Sequence, residues 1–137
     1  MTEAGYQSKI IKGIEALGGV AINGKYTITG TADLICGYPI VVEELVRDGE
    51  RSRIAPVLHL YHLHVEVKTE KAYNTLMKNH IKEVNGSYVV DDNYNGREVL
   101  QAFKLNEVRK KGGKALFAWN IEQVISYMEE NDTIQKG

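Results

Sequence analysis

One α/β domain, a central mixed sheet flanked by helices, is what this chain predicts, and three observations carry that reading. Apolar residues recur at helical spacing near the start and again in the last third of the chain. Runs rich in β-branched residues fill much of the middle. Gly-Gly, Asn-Gly and Asp-Gly pairs punctuate the changes from one period to the other. At 137 residues the length suits one domain, large enough to bury roughly two thirds of its unfolded surface.

Tyr6, Ile10, Ile14 and Leu17, widened by Ile11, predict a helix over 3–17, with Thr2 as its N-cap and Gly18-Gly19 as its stop. Val20-Ala21-Ile22 is a short strand candidate before a turn at Asn23-Gly24. Three β-forming runs follow, 26–35, 40–46 and 54–67. Gly37 and Pro39 interrupt the first pair, and an Asp48-Gly49 turn joins the second. Residues 26–68 therefore read as an antiparallel meander. Ala72, Leu76, Met77, His80 and Ile81 predict a helix over 70–83, and 85–96 reads as a loop or a short hairpin around Tyr88-Val89-Val90. Helical spacing returns over 97–111, ended by Gly112-Gly113. A buried-type strand at 115–119 and a last helix marked by Ile121, Val124, Ile125 and Met128 complete the chain.

Composition narrows the functional classes. Hydrophobic residues at 43% and charged residues at 26% are ordinary for a globular protein, and the net charge of −1 announces no nucleic-acid binder. Lys104, Arg109, Lys110, Lys111 and Lys114 nevertheless fall within eleven residues, either as a phosphate-facing patch or as a helix end whose cations complement the dipole. The lone Cys36 allows no internal disulfide and no CxxC zinc pair. The start MTEAGYQSKI has no signal-peptide pattern, and no stretch has the roughly 20 apolar residues of a membrane span. A cytoplasmic protein without membrane attachment is the expectation.

The chemistry concentrates in His62-Leu63-His64-Val65-Glu66-Val67-Lys68. In a strand, Leu63, Val65 and Val67 share the core face, while His62, His64, Glu66 and Lys68 share the other. Taken alone, Glu-x-Lys is most often a solvent-facing charge pair. Upstream, Asp33 offers the second carboxylate that a hard divalent cation requires. Asp33 and Glu66 would hold the ion, with the Val67 carbonyl as a further ligand, and such an ion activates water for phosphoryl displacement. Lys68 would orient the water and stabilise developing charge. Neighbouring carboxylates favour its ammonium form, which argues against proton abstraction.

At this point the chain resembles the VRR-NUC (virus-type replication–repair nuclease) branch of the PD-(D/E)XK nuclease superfamily. Four stretches carry the resemblance: Glu3-Ala4-Gly5-Tyr6-Gln7, Gly30-Thr31-Ala32-Asp33-Leu34-Ile35, Glu66-Val67-Lys68-Thr69, and Gln101 eleven positions before Gly112. It implies a restriction-endonuclease-like core in the order α-β-β-β-α-β-α, one domain over 1–137, with insertions near 40–60 and 70–96. It further implies a nuclease that cleaves DNA with Mg2+ or Mn2+ and acts on branched or otherwise structured DNA, in the manner of Holliday-junction resolvases. Asp33, Glu66, Lys68 and Gln101 would be catalytic, with Glu3 a further acidic ligand. Gln7, His64, Lys104 and Lys111 are the expected substrate contacts. A homodimer and a viral or mobile-element source, acting in the host cytoplasm, follow from the same likeness. Ala32 departs from the family's proline before the aspartate, and the 33 positions from Asp33 to Glu66 exceed compact members.

Other readings compete. His59, His62, His64 and His80 invite a zinc site with Glu66. Asp91-Asp92-Asn93-Tyr94-Asn95-Gly96 copies the start of a calcium loop, but its twelfth position is Ala102 where glutamate is needed. A non-catalytic nucleic-acid-binding module, or a restriction-type or toxin-like nuclease, could share the fold.

Overall fold

The computed structural model describes residues 1–24 and 32–131. Its elements run α1 (Glu3–Ala16), β1 (Val20–Asn23), β2 (Leu34–Asp48), β3 (Arg51–Val67), α2 (Glu70–Asn79), β4 (Ile81–Val84), β5 (Ser87–Val90), α3 (Glu98–Lys110), β6 (Lys114–Ala118) and α4 (Ile121–Glu130). The main sheet has the order β1-β2-β3-β6, with β3 and β6 parallel and the other neighbours antiparallel. The expected α/β class, a mixed sheet flanked by helices, is therefore observed. No helix is long and apolar enough to cross a membrane among the described residues.

Two apolar clusters sandwich the sheet. Ile10 and Ile14 of α1 and Val124 and Met128 of α4 pack on Leu34, Cys36, Leu63, Val65 and Val67. On the other face, Leu76, Ile81, Tyr88, Ala102 and Leu105 pack on Ala115 and Phe117 of β6. Leu63, Val65 and Val67 are fully buried, each burial being worth about 1.5–3 kcal/mol. Burial also pushes the Cys36 thiol up to about 12, so this cysteine acts as a small core residue rather than a nucleophile. A parallel β3–β6 pair requires a crossover. Residues 68–113 supply it and lay α3 across the sheet face that carries Glu66 and Lys68.

The sequence-based expectations need three corrections. Gly37 and Pro39 do not break a strand: β2 runs through both and pairs with β3 from Leu34↔Val65 to Asp48↔Arg51. Beyond Gly37 on β2 and Leu63 on β3 neither strand has a third partner among the described residues, so a proline there can aim its missing N–H away from β3. Of the strand expected over 26–35, residues 26–31 lie outside the described residues, and Leu34 and Ile35 open β2. The helix expected over 70–83 stops at Asn79, because Ile81–Val84 pairs with Ser87–Val90 around Asn85-Gly86. Asn85 (φ 51°) and Gly86 (φ 78°) are both left-handed, as a two-residue type I′ hairpin demands. Among the described residues the order is thus α-β-β-β-α-β-β-α-β-α, longer than the expected α-β-β-β-α-β-α.

Gly13 shows what packing asks of α1. Glycine inside a helix costs about 1 kcal/mol relative to alanine, yet a Cβ here would stand 2.6 Å from Cγ1 of Ile121. We expect Gly13→Ala to lose about 1–2 kcal/mol net, overpacking outweighing the gain in helix propensity, as read from urea denaturation midpoints.

Candidate active site

Asp33 and Glu66 arrive together through strand register. Leu34 pairs with Val65, so the residue before one and the residue after the other share the same sheet face. Two backbone contacts fix Asp33. The Val67 N–H donates to Asp33 Oδ2 at 2.9 Å, and the Gly24 N–H donates to the Asp33 carbonyl at 2.6 Å. Gly24 admits that approach because it lacks a side chain: a Cβ would lie 1.8 Å from the Ala32 carbonyl oxygen. The Val67 amide thus anchors Asp33, beside the carbonyl expected as a ligand.

Glu66 is 6% exposed and Lys68 is 3% exposed, the two buried charged residues among the described ones. Burial pushes the Glu66 carboxyl up to about 8, with Asp33 and more weakly Glu3 adding to the rise and Lys68 opposing it. Its Oε2 is buried and accepts no hydrogen bond. A protonated Glu66 could donate to Asp33. With both ionised, that oxygen is left without a positive partner in contact, a state a structure pays for only where something else satisfies it.

Lys68 is held from α3. Its Nζ donates to Gln101 Oε1 at 2.8 Å and lies 3.5 Å from Glu98 Oε1, with the Phe117 ring 5.8 Å away. Glu98 in turn accepts at Oε2 from the Tyr94 hydroxyl at 2.6 Å, and the Tyr94 ring stacks on His80 at 4.0 Å between centroids. Burial pushes the Glu98 carboxyl up, but Tyr94, its own backbone amide and Lys68 outweigh that and hold it below the usual range. Sequence reasoning missed Glu98 and Tyr94. The available signal was spacing: Glu98 and Gln101 stand three apart on α3, so they share a face.

Of the other expected residues, His64 and Lys104 line a cavity of about 270 Å3 beside Glu66 and Ala32. Burial and the neighbouring His62 lower the His64 imidazole. Glu3, at the start of α1, reaches Arg97 at 3.8 Å and lies near enough to act on Glu66 electrostatically. Gln7 receives a 3.4 Å bond from Asn23 Nδ2, at the end of β1. Lys111 stays apart: it caps the far end of α3, exposed, about 15 Å along the helix from Gln101.

The basic cluster also divides. Arg109 turns inward between Tyr88 and Tyr127, bonds the Ala115 and Gly86 carbonyls and pairs with Glu83 at 2.6 Å, so it is structural. Lys110 pairs with Glu107 at 3.3 Å.

No family model, no curated protein and no solved structure matches this chain. What the cleft can do is therefore read from its own chemistry.

No group of three or more His, Cys, Asp or Glu side chains disposed to hold a metal occurs among the described residues. The four histidines do not converge. His62 and His64 touch through Nε2, whereas His59 lies on the opposite face against Glu44 and His80 stacks on Tyr94. What the cleft offers is two carboxylates, one with a buried oxygen lacking a partner. That set suits Mg2+ or Mn2+, which use one or two carboxylates with waters and phosphate oxygens, better than a thiophilic or imidazole-seeking ion.

Proposed function

We propose that this protein is a divalent-metal-dependent nuclease that hydrolyses phosphodiester bonds in DNA, on a restriction-endonuclease-like core. The observation that carries the reading is the buried, unpartnered Glu66 Oε2 beside Asp33, with Lys68 clamped in the same cleft. Asp33 and Glu66 are the side chains that would hold Mg2+ or Mn2+, with Glu3 contributing negative charge nearby. When bound, such an ion supplies an acidified water and neutralises charge on the phosphate.

The chain's own groups account for the remaining steps. Lys68, fixed by Gln101 and Glu98, presents its ammonium to the pentacovalent oxygens and orients the attacking water. Gln101 has a side-chain NH2 left to donate once its Oε1 accepts from Lys68. His64 and Lys104 stand at the adjoining cavity as donors toward the strand's phosphates. Specificity for branched or otherwise structured DNA belongs to the same proposal and rests on the resemblance alone.

The test is cleavage of duplex, single-stranded, flap and four-way-junction DNA with Mg2+, Mn2+ or EDTA, beside Asp33→Asn and Lys68→Met. Metal-dependent cutting lost in both variants is expected. Binding without cutting under every metal would make the fold a recognition module instead.

Tyr94 and Glu98 add a finer expectation. Tyr94→Phe removes one hydrogen bond and almost no volume, so folding should hold while cleavage falls about tenfold through a less constrained Lys68. A rate equal to wild type in single-turnover assays would show that Glu98 needs no support from Tyr94 to hold Lys68.

A further inference from the structure

Two histidines on β3 touch each other at the protein surface. His62 and His64 flank Leu63, which is fully buried, and strand alternation puts both rings on the sheet face that carries Glu66. Their Nε2 atoms are in contact, with the ring planes tilted by 42° and the centroids 4.5 Å apart. His62 is exposed and His64 half-buried. Two nitrogen lone-pair positions thus aim at one accessible point. A hydrogen bond from one imidazole N–H to the other ring competes there with water, and so gives little reason for the rings to converge.

We propose that His62 and His64 bind one transition-metal ion, Zn2+, Cu2+ or Ni2+, at a site separate from the Asp33–Glu66 pair. Imidazole nitrogen is a ligand these ions take readily, whereas Mg2+ and Mn2+ prefer oxygen. Zinc sits about 2.0–2.1 Å from a histidine nitrogen, so two such ligands on one ion stand roughly 3 Å apart. A small rotation of the rings is enough to admit it.

The backbone beneath the pair is fixed. Leu63 and His64 are paired on both sides, to Cys36 and Ile35 of β2 and to Lys114 and Ala115 of β6. Gly37 stands opposite His62 and contributes no side chain, which leaves an approach between Val20 and Leu60. Both bordering residues are aliphatic and offer no competing donor. On the α3 side Lys104 and Glu107 line the cavity next to His64, one cation and one anion whose effects on an ion largely offset.

An ion held between residues 62 and 64 is centred about 10 Å along β3 from Glu66, at roughly 3.4 Å per residue. Glu66 itself is 6% exposed and feels Asp33 most strongly among its charged neighbours. The two sites can therefore hold different ions. With two protein ligands, fewer than a dedicated zinc site supplies, water fills the remaining positions, and Kd for Zn2+ should be on the order of 10 µM. Occupancy takes His64 from the substrate strand, so such an ion would inhibit cleavage. That consequence rests on the proposed activity, and the binding itself does not.

Isothermal titration of the full chain with ZnCl2, without DNA or Mg2+, tests the site. Wild type should bind Zn2+ and Ni2+, and Cu2+ more tightly than either, as nitrogen ligands dictate. His62→Gln and His64→Gln should each weaken Zn2+ binding by about tenfold or more, since losing even an outer partner of a metal ligand costs about 10- to 100-fold. Asp33→Asn, which alters the carboxylate pair, and His59→Gln, on the opposite face, should leave Kd as in wild type. Neither His62 nor His64 is buried, so unchanged thermal midpoints verify folding. No uptake by wild type at about 1 mM Zn2+ reduces the pair to a hydrogen bond and overturns the proposal. Uptake that survives His62→Gln, or is lost in Asp33→Asn, places the ion elsewhere and overturns it equally. A chain that binds Zn2+ through this pair yet cuts no DNA would keep the site and refute the nuclease reading alone.

Discussion

Asp33→Asn and Lys68→Met should each lower metal-dependent DNA cleavage by a factor of about 10² to 10³ while leaving the protein folded. Removal of a single preorganised group that stabilises transition-state charge has that magnitude in hydrolases. The substitutions are chosen to separate chemistry from stability. Asp33→Asn keeps an oxygen to accept from the Val67 N–H, whereas Asp33→Ala would orphan that donor at about 1–3 kcal/mol. Lys68→Met keeps most of the length of the buried stem, although Gln101 and Glu98 lose their partner. Single-turnover rates with saturating Mg2+ measure the effect, and thermal melts verify the fold. Should either variant cut at the wild-type rate, its side chain is not part of the reaction and the assignment of this cleft fails.

Much of this centre was legible because strands obey a two-residue period. The alternation in 62–68 placed Leu63, Val65 and Val67 in the core and Glu66 and Lys68 on the opposite face, and all three apolar residues are fully buried. What the period did not announce was the burial of Glu66 and Lys68 themselves. That depends on α3 crossing above them, a consequence of the parallel β3–β6 pairing and its long crossover. Parallel or antiparallel pairing is decided by tertiary closure and leaves no mark on local periodicity. For the same reason Lys104 and Lys111, alike in sequence, separate: one lines the cleft and the other caps the distant helix end.

The misread segments have a common physical origin. Gly37 and Pro39 read as breaks, yet on a ribbon with no third strand beyond Gly37 among the described residues the proline costs no ladder bond. His80-Ile81 continues the helical spacing of α2, but Asn85-Gly86 can close a tight hairpin, and Ile81 is buried by pairing instead. In each case a long-range partner outweighed a local preference. The hydrogen-bonded sequence Tyr94–Glu98–Lys68 depends on two such outcomes at once, since it requires both the hairpin's exit and the start of α3 to reach β3.

Glu66→Gln should raise thermal stability at pH 8 in EDTA and abolish stabilisation by Mg2+. In the folded protein the Glu66 carboxyl titrates near 8, against an ordinary value of 4.5, chiefly because it is buried. The folded state therefore holds a proton between those values that the unfolded chain has lost, and stability must fall as pH rises through that window. The loss is on the order of 3 kcal/mol once solvent and neighbouring charge are allowed for, or roughly 10 °C in the melting midpoint of a domain this size. The glutamine variant has nothing to ionise at this position, so its midpoint should lose this fall and keep only the gentle rise with pH that the lowered His64 imidazole gives. A bound divalent cation reverses the penalty in wild type by favouring the carboxylate, adding about 2.7 kcal/mol at a hundredfold excess over Kd. Differential scanning fluorimetry at pH 5, 6.5 and 8, with EDTA or about 10 mM Mg2+ to give that excess, would read all of this. A wild type whose midpoint rises from pH 5 to 8, or ignores Mg2+ at pH 8, would mean that the buried oxygen of Glu66 is satisfied within the chain. The cleft would then offer a cation nothing it could improve. If the slope and its reversal by Mg2+ are both present and both vanish in Glu66→Gln, the cost of burying that carboxylate is explained by the cation it is built to receive.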